Sequence, residues 1–369
     1  MGAQYLVRHV VPLLYEQVAK RIANILDLDM ELISYAGSYY DVVNQGQEEV
    51  QQKKVRSFAA KVRERGKIMS KRSDEIRREW KINDAKRDAG LTTPENIVRF
   101  DDFQYGPDPV WNKLDVYRPK EEKGKLPVIV NVHGGGWVYG DKELYQFYGM
   151  SLAQRGFAVV NFTYRLAPEV KYPAPLEDTN RVIQWMYDNR EEYGLDMEHV
   201  FMVGDSAGGN LCGLYSAICT NPAYAENYDF KVPEGFVPEA LALNCGAYNP
   251  LGEEKEIRNA QDSELMEDFL PEKGSEKERK LVNLTNHVTP DFPPVYLMTA
   301  VGDFCRPQAK VLEEALKAKG VYYECKTYGT EEKPLYHVFH VTIQEPEGQK
   351  CNDEECAFFR RIMNRSCGF

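Results

Sequence analysis

The chain has 369 residues, 28% of them charged, and a formal net charge of −11 at pH 7. That balance argues against nucleic acid or an anionic membrane surface as a partner, and no run of 18 apolar residues is present to cross a bilayer. Arg8, Glu16, Lys20 and Arg21 interrupt the first 25 residues, which do not read as a secretion signal. The expectation is a cytoplasmic chain whose eight cysteines are reduced thiols, with no metal site in their spacing to the histidines.

Residues 1 to about 90 carry no strand pattern. Val10, Leu13, Leu14, Val18, Ile22 and Ile25 recur at helical spacing, an apolar face that must bury against something and would allow a homodimer. A strongly charged stretch, 51–88, follows with Val55, Phe58, Ala59, Val62, Ile68, Ile76 and Trp80 as a sparse stripe. This N-terminal region is expected to be helical, either a piece of a cap over a site or a hairpin serving packing alone. From 91 onward, strand-like runs at 114–117, 128–132, 158–162, 200–203, 240–244, 295–300 and 321–327 alternate with helical patterns at 143–154, 175–189, 207–220, 307–319 and 354–364. Such alternation predicts an α/β fold, a mostly parallel sheet with helices on both faces. A polar, helix-forming stretch at about 251–289 reads as an insertion and a second cap piece.

Two short segments carry the chemistry. Val200-Phe201-Met202-Val203 runs into Gly204-Asp205-Ser206-Ala207-Gly208-Gly209, after which residues 211–219 continue as an apolar helix pattern. A sharp strand-to-helix turn leaves no room for side chains beside its serine, so glycines at i−2 and i+2 of Ser206 suit a nucleophile elbow. Earlier, Val128-Ile129-Val130 closes on His133-Gly134-Gly135-Gly136-Trp137, a loop stripped of side chains whose N–H groups can approach an oxyanion.

A serine nucleophile needs a base, and the base an orienting carboxylate, in the chain order Ser, acid, His. Asp303 ends the strand-like run 295–302, on the edge of the sheet where function sits. Asp229, Asp262, Asp268 and Asp291 fall in polar or Pro-rich stretches that read as solvated surface. Order sets aside His9, His133 and His199, and His287 sits in a polar, loop-like stretch with no strand before it, which leaves two candidate bases three residues apart, His337 and His340. Asp205 reads as a carboxylate that steadies the elbow, and Glu177 and Asp178 as partners of a helix N-terminus. Trp137 and Tyr139 either line a substrate pocket or anchor the loop.

These motifs, with Tyr164-Arg165-Leu166-Ala167-Pro168-Glu169, Gly302-Asp303 and His337-Val338-Phe339, resemble the hormone-sensitive-lipase-like esterases of the α/β-hydrolase fold, from about Leu114 to the C-terminus. The resemblance implies that His337 is the base and that the backbone N–H groups of Gly135, Gly136 and Ala207 are the oxyanion donors. It implies a short-chain, acetyl-type ester as small-molecule substrate, an acyl-enzyme on Ser206, and no cofactor. Amidases, dehydratases and non-catalytic receptors that have lost the histidine share the scaffold. One departure stands out: Phe304-Cys305-Arg306-Pro307 follows Asp303, where the family often has an acidic or leucine-containing stretch.

Overall fold

In strands of alternating burial every second side chain goes to the same face, and here both faces are covered. Val128, Val130 and Val132 of β3 (Leu126–Val132) join one buried cluster, while Ile129 joins the other. The computed structural model describes residues 70–253, 257 and 263–366. Residues 68–369 cluster as one compact unit. The expected N-terminal helical face and most of the charged stripe lie outside the described residues.

The sheet has eight strands in the order β1-β2-β4-β3-β5-β6-β7-β8. These are β1 (Ile97–Gln104), β2 (Lys113–Pro119), β3, β4 (Ala158–Thr163), β5 (Leu195–Asp205), β6 (Ala240–Asn244), β7 (Val295–Ala300) and β8 (Tyr323–Tyr328). Pairing is antiparallel between β1 and β2 and between β2 and β4, and parallel across the rest. This is the mostly parallel α/β-hydrolase sheet. β1 is the strand that the sequence pattern did not reveal. Its register shifts between Phe100 and Phe103, and Asp102 sits there at a φ of 65°. The bulge breaks the period of two on which a strand reading depends.

Helices α3 (Ala174–Asn189), α4 (Ala207–Thr220) and α7 (Arg306–Lys319) cover one face through Leu176, Leu211 and Leu312. Helices α2 (Gln146–Ala153) and α8 (Pro346–Ser366) cover the other through Met150 and Phe359. The last helix begins well before residue 354, where its pattern first reads as helical. Among the described residues no helix is long and apolar enough to cross a membrane.

Three further helices stand near the strand ends: α1 (Lys71–Arg87), α5 (Ser263–Phe269) and α6 (Glu276–Val282). Ser70 caps α1 by accepting from the Ser73 N–H at 3.1 Å, and Ser275 with Glu278 forms a capping box on α6. Arg77 ties α1 down. Its guanidinium pairs with Glu169 at 2.7 Å and donates to the carbonyls of Val138 and Ala167. Asp268 departs from the solvated-surface reading: it is 8% exposed and accepts from the hydroxyls of Ser70 and Ser73. Partners almost 200 residues away decide its burial, and a local composition reading has no access to them.

Candidate active site

β5 delivers Ser206 to the carboxyl edge of the sheet, and α4 begins one residue later. Between them the serine takes φ 51° and ψ −118°, a conformation an L-residue adopts only under constraint. Several bonds supply the constraint. The Ser206 N–H donates to the Asn244 carbonyl at 3.0 Å, and its own carbonyl accepts from Ala247 N–H at 3.1 Å. The flanking glycines are required by contact: a Cβ on Gly204 would lie 2.4 Å from the Gly208 carbonyl oxygen, and one on Gly208 would lie 2.0 Å from that of Val132.

His337 comes from the segment after β8 and Asp303 from the turn after β7. His337 Nε2 lies 3.0 Å from Ser206 Oγ, and His337 Nδ1 lies 2.7 Å from Asp303 Oδ1. A carboxylate only accepts, so Nδ1 carries the proton and Nε2 is free to accept from the serine hydroxyl. Asp303 is further held by the Cys305 N–H and the Thr299 hydroxyl, each at 2.9 Å. Burial raises its pKa, but the hydrogen bond and charge of His337, with these two donors, win and hold the carboxyl below its ordinary value. Asp303 is not the cap of α7, whose N-cap residue is Cys305.

His340, the other candidate base, is elsewhere. It is fully buried, edge-on to Tyr148 at 5.2 Å, and neither ring nitrogen meets a partner among the described residues. Burial pushes its pKa down to about 3, so it packs as a neutral ring.

The glycine loop lies beside the elbow. Gly135 and Gly136 take φ of 114° and 60°, and a Cβ on Gly135 would lie 1.9 Å from the Tyr139 carbonyl oxygen. Among the described residues no backbone carbonyl accepts from the N–H of Gly135 or of Gly136. Ala207, at the first turn of α4, presents its N–H with the positive end of the helix dipole. His133 holds the root of the loop: its ring stacks on Tyr164 at 4.0 Å, and its Nδ1 donates to the Gly134 carbonyl at 2.7 Å. Tyr145 links loop to elbow, accepting from Gly134 N–H at 3.0 Å and donating to Asp205 at 2.8 Å. Asp205 is thus a strut under the elbow, with a pKa that burial raises to about 6. Glu177 and Asp178 do more than face a helix end; both pair with Arg165 at 2.8 Å.

Ser206 opens into a cavity of about 390 Å³ whose walls include Ile76 and Trp80 of α1, Leu265 and Met266 of α5, Trp137 and Phe304. Trp137 is 3% exposed and stacks on Phe269 at 4.8 Å. Tyr139 turns to α1, donating to Asp84 at 2.7 Å and meeting Trp80 edge-on. Phe304 is a wall residue that sequence reasoning missed, although its place directly after Asp303 was a signal. Cys245 Sγ lies within 4.8 Å of ligand atoms of Asp303 and His337, but it is fully buried, with its pKa raised well above the ordinary thiol value by burial first, then by the Asp303 charge.

Comparison with known proteins agrees with this architecture. The BD-FAE family model matches residues 114–316. Versiconal hemiacetal acetate esterase from Dothistroma septosporum is 31% identical over 229 residues, 57% of this chain and 66% of that protein. Carboxylesterase NlhH from Mycobacterium tuberculosis is 38% identical over 104 residues, 28% of this chain and 33% of that protein. The chain thus spans less than two thirds of the length of these curated relatives. Among solved structures, an inhibited esterase B from Lactobacillus rhamnosis is 27% identical with a TM-score of 0.72, covering 79% of this chain and 97% of that one. The motifs, the sheet order and the matched span agree, and the chain belongs to the BD-FAE family, among the hormone-sensitive-lipase-like esterases of the α/β-hydrolase fold.

Proposed function

We propose that this protein is a serine carboxylic ester hydrolase acting on short-chain acyl esters, with Ser206 as nucleophile, His337 as base and Asp303 as its orienting acid. The observation that carries the reading is the continuous chain from Ser206 Oγ through His337 to Asp303, at 3.0 and 2.7 Å, beside the Gly135–Gly136 loop. His337 Nε2 takes the hydroxyl proton as Oγ attacks the ester carbonyl. The backbone N–H groups of Gly135, Gly136 and Ala207 receive the tetrahedral oxyanion. His337 then returns the proton to the departing alcohol, and water repeats the sequence on the acyl-enzyme.

A relative named as an acetate esterase supports the small acyl group. Helices α1 and α5, which wall the cavity, serve as the cap in this reading. The seven described cysteines are free thiols, which supports a cytoplasmic setting. The test is hydrolysis of p-nitrophenyl esters from acetate to decanoate by the wild type and by Ser206→Ala. Turnover peaking at acetate or butyrate and lost in the variant is expected. No turnover by folded wild type would move the protein to the amidase or receptor readings.

A further inference from the structure

Phe304 is placed where a core aromatic would not be. It is 54% exposed, yet its ring centroid lies 4.1 Å from that of His337 and it walls the cavity into which Ser206 opens. It also falls in the stretch after Asp303 where this chain departs from the family pattern. An exposed phenyl ring contributes little to stability, because only buried apolar area is removed from water. Its orientation toward the histidine has a chemical meaning once the direction of the reaction is considered. The departing oxygen must come within hydrogen-bond reach of His337 Nε2 to collect its proton. Whatever that oxygen carries is therefore laid beside the ring next to His337.

The remaining walls favour the same kind of group. Trp80, Trp137, Leu265 and Met266 are apolar. Two long polar side chains share the wall and both are engaged: Gln308 accepts from Asn249 N–H at 2.7 Å and donates to the Asn249 carbonyl at 3.2 Å, and Arg72 pairs with Glu75 at 3.9 Å. Beside Phe304, Trp80, Leu265 and Met266, a sugar-like alcohol would set most of its hydroxyls against hydrocarbon, at the cost of their hydration. A cavity of about 390 Å³ is also far larger than an acetyl or butyryl group; pockets of about 300–1,000 Å³ hold drug-sized molecules.

We propose that Phe304 forms the subsite for the alcohol half of the ester, and that this subsite takes aromatic alcohols, making the substrates short-chain acyl esters of benzyl- or aryl-type alcohols. The proposal rests on the ester hydrolase reading above. The aromatic leaving group packs on the free face of Phe304 while the small acyl group stays near the oxyanion loop.

Benzyl acetate and ethyl acetate test it, since both release a poorly acidic primary alcohol and share an acyl group. The full-length wild type is expected to favour benzyl acetate in kcat/KM by tenfold or more, mostly through KM. Phe304→Ala should reduce that benzyl-to-ethyl ratio by roughly five- to tenfold, the size of one aromatic contact, with Phe304→Leu between. An unchanged ratio in Phe304→Ala would overturn the proposal. So would a wild type that prefers ethyl octanoate to benzyl acetate, because the cavity would then hold the acyl chain. Turnover of alkyl esters without benzyl preference removes only this proposal. Absence of any ester turnover by folded protein removes the hydrolase reading as well.

Discussion

Two buried aspartates stand close to Ser206, and the protein treats them in opposite ways. At the end of β7, Asp303 receives three hydrogen bonds, from His337, Cys305 N–H and Thr299, and its pKa is held low. Beneath the elbow, Asp205 is as deeply buried and accepts from Tyr145, and among the described residues one of its carboxylate oxygens meets no partner; its pKa rises to about 6. Burial opposes charge at both sites, and the partner decides the outcome: Asp303 meets His337 directly, in hydrogen bond and charge, whereas the nearest donor to Asp205 is a neutral tyrosine hydroxyl. The lesson extends to Glu355 on α8, fully buried, held by Asn244 Nδ2 at 2.7 Å and by Tyr148 at 3.2 Å, with a pKa that burial raises to about 7. The edge of the sheet keeps a permanent anion where the proposed mechanism calls for a cationic histidine. The layer below keeps weakly ionised struts.

The comparison can be broken at both ends. The largest effect is expected for Ser206→Ala, with kcat lowered on the order of 10⁶-fold, and for His337→Ala to a similar extent; steady-state kinetics on p-nitrophenyl acetate read both. Asp303→Asn should cost about 10⁴-fold, because an amide presents the histidine with the wrong tautomer. Asp205→Asn keeps an acceptor for Tyr145 and should change kcat less than about tenfold, a gap of orders of magnitude between two adjacent-looking aspartates. His340→Ala should leave kcat within a few-fold while lowering Tm, since it empties a buried site without touching the proton path. If Asp205→Asn proved as damaging as Asp303→Asn, the assignment of acid and strut would be wrong.

The smallest effect is one of pH. The folded value of Glu355 lies above its ordinary 4.5, so between about pH 4.5 and about pH 7 the folded state keeps a proton that the unfolded chain has released. Stability therefore falls as pH rises through that window, and Asp205 adds in the same direction between about 3.8 and about 6. Asp303, lowered, acts oppositely and loses its contribution as the solution becomes acid. Glu355→Gln should raise stability at pH 8 by something on the order of 1–3 kcal/mol and flatten the slope between pH 5 and 7. Denaturant melts at pH 5 and pH 8 check it; an identical shift at both pH values would contradict an origin in ionisation.

Part of this arrangement is legible in the sequence. The elbow and the glycine loop could be read because their chemistry admits so few residues: a Cβ at Gly208 or Gly135 would collide with backbone. Strands β3 to β7 showed in apolar runs, since strands covered on both faces need them, while the largely exposed edge strand β8 carries Glu324 and Lys326 within it. β1 did not, because the bulge at Asp101 and Asp102 scrambles its alternation. The choice between His337 and His340 came from family resemblance; three residues apart, they separate in space through the turn at Val338, φ 50°, which points one at Ser206 and buries the other. The cavity was least legible, because Trp80, Leu265 and Phe304 reach it from three distant segments.

The most direct test of the central claim is reaction with a serine-directed alkyl phosphonate, followed by intact mass and peptide mapping. One adduct per chain on Ser206, accumulating in step with loss of ester turnover and absent from Ser206→Ala, is the predicted result. Ester hydrolysis that persists in fully labelled protein or in Ser206→Ala, or an adduct on another residue that tracks inactivation, would contradict it.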